Sequence, residues 1–351
     1  MNESPQPFAE PPRGGTPLRL PRVIFGSSAL GNLYEAIPDQ RKLAIVRAWI
    51  EHSGDHVVID SAGKYGAGLA LECLGDSLRT LGVPPERVAI SNKLGWRRIP
   101  LVDDEPTFER GVWIDLQHDA QQCIDAEGIV ACWRQGLELL GEPYVPRMLS
   151  VHDPDEYLAG GDDEARWRDL IAAYKAISKL REEVPGATLG VGSKDWRVAK
   201  RIAEAVQLDW VMLANCVTIY THPSAVLDFI LSLARQGIAV VNSGVFNAGF
   251  LIGGRYFDYS LPSPTSEKHL FDWRERFLKL CREHGTRPAH ACVQFGLSPQ
   301  GVVSVALNTT NPDRVQENVE IAATPVADDF WREAKALGLI DNSYPYLGRT
   351  P

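Results

Sequence analysis

Short runs rich in Val and Ile recur along the chain, and they are apolar at successive positions rather than at alternate ones. They fall at residues 22–25, 57–60, 88–91, 148–151, 188–192, 210–214, 238–242 and 302–306. A strand apolar on both faces is buried on both, so these runs read as parallel strands packed between helices and a common interior. Between them lie segments of helical period at 39–52, 69–81, 129–140, 164–183, 196–205, 225–236, 267–284 and 313–322. The first sets Leu43, Ile45, Val46 and Trp49 on one side, and the second sets Leu71, Leu74, Leu78 and Leu81 on one side. Gly54, Gly82, Gly141, Gly237 and Gly285 follow helical segments, where a residue tolerant of positive φ ends a helix cheaply.

Eight strand–helix repeats without a linker predict an α/β fold, a single-domain (β/α)8 TIM barrel over residues 21–340. Residues 1–20, rich in Pro and Gly, read as a flexible N-terminal segment, and 341–351 as a C-terminal tail after a last helix at 328–337. The competing open, doubly wound sheet carries G-x-G-x-x-G after its first strand; here Gly26-Ser27-Ser28-Ala29-Leu30-Gly31 stands there instead. Two long connections, from Lys93 to about Asp125 and from Gly244 to about Ser266, emerge in a barrel at the carboxyl face, where active sites lie.

Composition narrows the function. With 44% hydrophobic and 23% charged residues over 351 positions, the chain is neither disordered nor fibrous. A net charge of −9 argues against nucleic acid and acidic membrane surfaces as partners. No apolar run approaches the ~20 residues of a membrane span, and the first residues lack the pattern of a secretory signal. The six cysteines form no C-x-x-C and have no close histidine, so reduced thiols, a cytoplasmic setting and no metal site are expected.

The chemistry concentrates at the ends of three consecutive predicted strands. Asp60 ends the second, with Tyr65 five residues on; Lys93 follows the third; His152 follows the fourth. A phenol is a poor acid–base group near neutrality unless a neighbouring cation stabilises its anion, and a carboxylate can hold that cation in place. A neutral imidazole can orient an alcohol or carbonyl oxygen. The set suits redox of a C–OH/C=O pair with a nicotinamide as hydride partner. Two other classes remain open on the same residues: a class I aldolase using Lys93 for a Schiff base, and a non-catalytic cofactor-binding subunit.

The ordered series Asp60, Tyr65, Lys93, His152 resembles the tetrad of the aldo-keto reductase superfamily, and the likeness runs from about Arg22 to about Ala323. The resemblance implies that Tyr65 is the general acid/base, that Lys93 lowers its pKa, that Asp60 pairs with Lys93 and that His152 positions substrate. It also implies a cofactor run of Gly26, Ser193, Asn215, the Ser243-Gly244-Val245 loop, and Asn308, Thr309, Arg314, Glu317 and Asn318. Val217 stands where the family stacks a Tyr, with Tyr220 as the substitute. Asn308 replaces the family's Lys for the NADP 2′-phosphate, so NAD or NADP is expected, with NAD preferred. Asn242-Ser243-Gly244-Val245-Phe246-Asn247 resembles the branch of aldose 1-dehydrogenases (L-fucose, L-galactose, D-threo-aldose) and pyridoxal 4-dehydrogenase. That likeness implies oxidation of an anomeric hydroxyl to a lactone; aldehyde or ketone reduction and pyridoxal oxidation on the same site are the alternatives. Asn32, Trp96, Trp113 and His152 are the expected substrate residues, in a monomer or small homo-oligomer.

Overall fold

A computed structural model describes residues 20–348; most of the expected N-terminal segment and the last three residues lie outside this range. Eight strands close into one barrel: β1 (Val23–Gly26), β2 (Val57–Ala62), β3 (Val88–Leu94), β4 (Met148–His152), β5 (Thr188–Ser193), β6 (Trp210–Ala214), β7 (Ala239–Ser243) and β8 (Val302–Leu307). Every pairing is parallel and sequential, and β1 pairs with both β2 and β8 to seal the ring. Each strand agrees with its apolar run to within a few residues.

The helices follow the predicted periods closely. Asp39–Glu51, Leu69–Thr80, Ala126–Leu140 and Asp163–Glu183 are among them. Aspartates start several: Asp125 accepts the Gly128 amide at 2.7 Å and Asp162 that of Ala165 at 2.8 Å, satisfying first-turn donors that the helix itself leaves unpaired.

Two helices and a two-stranded hairpin stand among the elements that the periodicity did not predict. Pro288–Leu297 is a helix buried at Ala291, Cys292, Val293 and Phe295, and a helix apolar most of the way round shows little 3.6-residue periodicity. Trp96–Pro100 and His118–Gln122 form an antiparallel hairpin beyond β3, joined by a long segment with no short turn signal. Pro154–Ala159 adds a short helix directly after β4.

Inside the barrel, side chains of one strand face inward at every second position. Ile24, Val58, Met148, Trp210, Met212 and Val241 pack together as an apolar floor. Trp210 fits because Gly190 faces it: a Cβ at Gly190 would stand 2.2 Å from the indole. Two or four residues further along their strands, toward the carboxyl face, come Gly26, Asp60, His152 and Ser243. The alternation that buries the floor therefore delivers these groups to one mouth.

Candidate active site

Tyr65 sits in the turn that links β2 to the helix Leu69–Thr80. Its neighbour Gly66 has φ +61°, and a Cβ there would lie 2.4 Å from the Gly31 carbonyl oxygen. A Cβ on Gly31 would in turn lie 2.8 Å from the Tyr65 backbone. Two glycines in backbone contact thus hold the turn tightly over the mouth.

The four groups of the series meet. Lys93 and Asp60, both buried, form a direct ion pair through Asp60 Oδ2. The same carboxylate oxygen accepts from the Tyr65 hydroxyl at 3.4 Å. The Lys93 ammonium lies 4.6 Å from the centre of the Tyr65 ring, and His152 meets that ring edge-on with centroids 5.4 Å apart. Burial pushes His152 well below an ordinary imidazole, so it is neutral, and its Nδ1 has no hydrogen-bond partner among the described residues.

Burial of the hydroxyl, and then the Asp60 carboxylate, raise the Tyr65 phenol well above its ordinary value. The Lys93 ammonium, 4.6 Å from the ring centre, acts in the opposite sense by favouring the phenolate.

A second charged cluster adjoins the first, built from residues far apart along the chain. Lys64 Nζ, buried beside Tyr65, lies 2.8 Å from Asp153, 2.8 Å from Glu109 and 3.0 Å from Glu156. Lys194 contacts Glu156 at 2.5 Å and Asp153 at 3.5 Å. The three carboxylates approach one another closely enough to hold a metal ion, but the Lys64 ammonium already provides the cation among them. Only the three-dimensional fold brings Glu109, from the long segment between the hairpin strands, to Lys64.

A cavity of about 610 Å³ opens above both clusters. Gly26, Ser193, Ser243, Gly244, Val245, Asn308, Thr309, Arg314, Glu317 and Asn318 line it, as do all four residues of the series and Trp113. Trp113 lies 5.9 Å from the Tyr65 ring, and its indole N–H donates to Glu109 at 2.7 Å. Tyr34 and Tyr256, from the loops that follow β1 and β7, stack with centroids 4.3 Å apart. Tyr259 and Lys194 also line the wall. Tyr34, Tyr256 and Tyr259 lie in loops away from the strand ends, and no signal in the sequence singled them out.

Four expected residues sit elsewhere. Asn32 is buried and donates through Nδ2 to the Ile114 carbonyl at 3.1 Å, tying two loops together instead of facing the cavity. Trp96 lies behind Lys64, 4.8 Å from its nitrogen, and next to Phe108. Asn215 packs behind Gly244, its amide N–H bonded to the Ser243 carbonyl at 3.0 Å. Tyr220 meets Phe257 and Trp273 edge-on, away from the cavity wall. Asn32, Trp96 and Tyr220 each found a structural partner that position along the chain did not reveal, whereas Asn215 is placed by its backbone and by packing against Gly244.

The donor set fits a dinucleotide. The cavity runs from the buried, unpartnered His152 Nδ1 past the Ser243 loop to Arg314 and Asn318, in the first turns of the helix Arg314–Ala323, where backbone N–H groups and the helix dipole favour phosphate.

Residues 22–338 match the Aldo/keto reductase family. This chain belongs to it. As an aldo/keto reductase it is an NAD(P)-dependent oxidoreductase. It is 26% identical to the pyridoxal 4-dehydrogenase of Microbacterium luteolum over 337 residues, 93% of this chain and 96% of that protein. To the D-threo-aldose 1-dehydrogenase of a Pseudomonas species it is 27% identical, over 94% of this chain and 98% of the relative. The L-galactose dehydrogenase of Arabidopsis thaliana is 22% identical over 87% of this chain and 85% of its own length. Among solved structures, the glycerol dehydrogenase of Gluconobacter oxydans shares this aldo/keto reductase's fold with a TM-score of 0.67, at 16% identity over 94% of this chain and 95% of that one. Among the described residues no helix is long and apolar enough to cross a membrane.

Proposed function

We propose that this aldo/keto reductase oxidises the anomeric hydroxyl of an aldose to the lactone, with Tyr65, Lys93, Asp60 and His152 as its working residues. The observation that carries the reading is the convergence of Tyr65, the Lys93–Asp60 pair and neutral His152 on one wall of the cavity. The bound nicotinamide supplies the hydride acceptor.

His152 hydrogen-bonds the substrate hydroxyl through a ring nitrogen and aims its oxygen at Tyr65. With the Tyr65 proton lost to solvent beforehand, its phenolate takes the proton of the substrate hydroxyl as the C1–H bond is lost. Trp113 offers an apolar face for the sugar ring, and Tyr34, Tyr259 and Glu109 offer polar atoms for its hydroxyls. In the reverse direction the same protonated phenol acts as the acid on a carbonyl oxygen.

Two considerations shape the details. The relatives that act on a D-threo-aldose and on L-galactose favour the sugar, and the pyridoxal relative makes pyridoxal oxidation the second reading. Asn308 offers no charge to a 2′-phosphate, which favours NAD over NADP. A class I aldolase fits poorly, since Lys93 is held as an ammonium against Asp60 while Schiff-base chemistry needs the free amine.

The test is absorbance of the reduced nicotinamide with each nucleotide across L-fucose, L-galactose, D-arabinose and pyridoxal. Aldose-dependent reduction with a higher kcat/KM for NAD is expected. Turnover of pyridoxal alone establishes the second reading, and a strong NADP preference overturns the assignment to Asn308.

A further inference from the structure

Cysteine spacing suggests no paired thiols, yet the fold sets two of them side by side. Cys123 directly follows the hairpin's returning strand and Cys132 lies in the following helix, Ala126–Leu140; their sulfur atoms are 3.3 Å apart. Cys123 is half-buried and Cys132 is buried. We propose that Cys123 and Cys132 are a redox modification site, which hydroperoxides oxidise to an intrachain disulfide.

Geometry favours the bond. A disulfide needs the sulfurs at ~2.05 Å, so they must close by only about 1.3 Å. The Cys123 amide donates to the Gly95 carbonyl at 2.8 Å, which fixes the backbone on that side, and the helix fixes Cys132 on the other. The shared hydrogen bond divides the roles. It lowers the Cys123 thiol from its ordinary value, with Arg97 helping, whereas together with burial it raises Cys132. Cys123, the half-buried one that a hydroperoxide can reach, is the attacking sulfur, and buried Cys132 the resolving one.

In the first step the Cys123 thiolate attacks the terminal oxygen of a hydroperoxide. The O–O bond breaks, the alcohol (or water) leaves, and Cys123 becomes a sulfenic acid. The Cys132 sulfur then attacks the Cys123 sulfur, the S–S bond forms and water departs. Two thiol hydrogens and two electrons have passed to the hydroperoxide. None of the other thiols combines exposure with such a neighbour: Cys73 faces the Lys42 ammonium at 3.8 Å, and Cys216, Cys281 and Cys292 are buried.

The location gives the bond a consequence. Gly95 stands two residues beyond Lys93, and the hairpin carries the segment with Glu109 and Trp113 that roofs the cavity. A disulfide pins the base of that roof to the barrel's outer helix layer.

The test uses the whole native protein, titrated with hydrogen peroxide, alkylated and digested with trypsin. Both cysteines fall in one tryptic peptide, residues 111–134, because no Lys or Arg lies between Arg110 and Arg134. Loss of two hydrogens with simultaneous loss of both alkylation sites, reversed by dithiothreitol, is expected. Cleavage after Glu127 should then leave two fragments joined until reduction. In Cys132→Ser the oxidation should stop at a Cys123 sulfenic acid trapped by dimedone. The proposal is overturned by wild-type peptide in which both thiols stay alkylated, or in which Cys123 is over-oxidised while Cys132 remains alkylated. A bond from either cysteine to a different partner overturns it equally.

Discussion

The Lys64 nitrogen lies 2.8 Å from the Asp153 carboxylate, with both side chains buried, one beside Tyr65 in sequence and the other beside His152. The same Asp153 oxygen stands 3.8 Å from His152 Nε2. A lone carboxylate there would draw a proton onto the imidazole; Lys64 and Lys194, together with Lys93, oppose it.

Lys64→Met should therefore raise the pKa of His152. The acid limb of the kcat/KM profile is expected to move to higher pH, while activity on the alkaline side changes less. An unshifted acid limb in a folded variant would show that the ammonium does not govern the imidazole. Removing one partner from a buried ion network typically costs ~3–5 kcal/mol, so stability should be measured alongside.

Folding should also weaken in mild acid. His152 is depressed below its ordinary value of 6.5, so the unfolded chain binds the proton more readily than the native one. The stability this contributes is present above about pH 6.5 and is lost as pH falls below it. Asp153, held below its ordinary 3.8 by the Lys64 and Lys194 ammoniums, adds a second loss in stronger acid, with the same sign. Denaturant midpoints followed from neutral to acid pH should decline in both windows, and a flat profile through the first would contradict the buried neutral imidazole.

Tyr65→Phe tests the proposed acid–base role of the phenol. Turnover should fall by ~10²–10⁴-fold, the usual weight of general acid–base catalysis, with nucleotide affinity unchanged. Stopped-flow turnover and nucleotide titration by protein fluorescence separate the two effects. In the wild type, oxidation should quicken as pH rises, because the Tyr65 phenol is held above its ordinary value and must lose its proton first.

Gly31→Ala tests the turn that carries Tyr65. The new methyl would stand 2.8 Å from backbone atoms of Tyr65, and overpacking of this kind costs ~1–3 kcal/mol. The turn should shift and kcat should fall more than nucleotide affinity does. An unchanged kcat would mean that the close approach of Gly31 to Tyr65 does not set the position of the phenol.

Much of this was legible along the chain because burial leaves a local trace. Strands covered on both faces must be apolar at consecutive positions, and helices packed on one side must be apolar every three or four, so the barrel could be read from periodicity alone. Asp60, Lys93 and His152 were legible for a related reason: polar residues ending apolar strands must face the mouth. Pro288–Leu297 left a weaker trace, since a helix buried nearly all round has little periodicity to show.

What the sequence determined by itself is the barrel and the rim residues that strand alternation delivers to it. The tertiary structure alone decided the Lys64–Asp153–Glu156–Glu109 cluster, the Cys123–Cys132 pair and the withdrawal of Asn32, Trp96, Asn215 and Tyr220 from the cavity. Each depends on which distant or loop-borne partner satisfies a side chain, and no period along the chain encodes that choice. It is made by the free energy of leaving a buried charge or polar group unpaired, and only the closed fold shows where its partner lies.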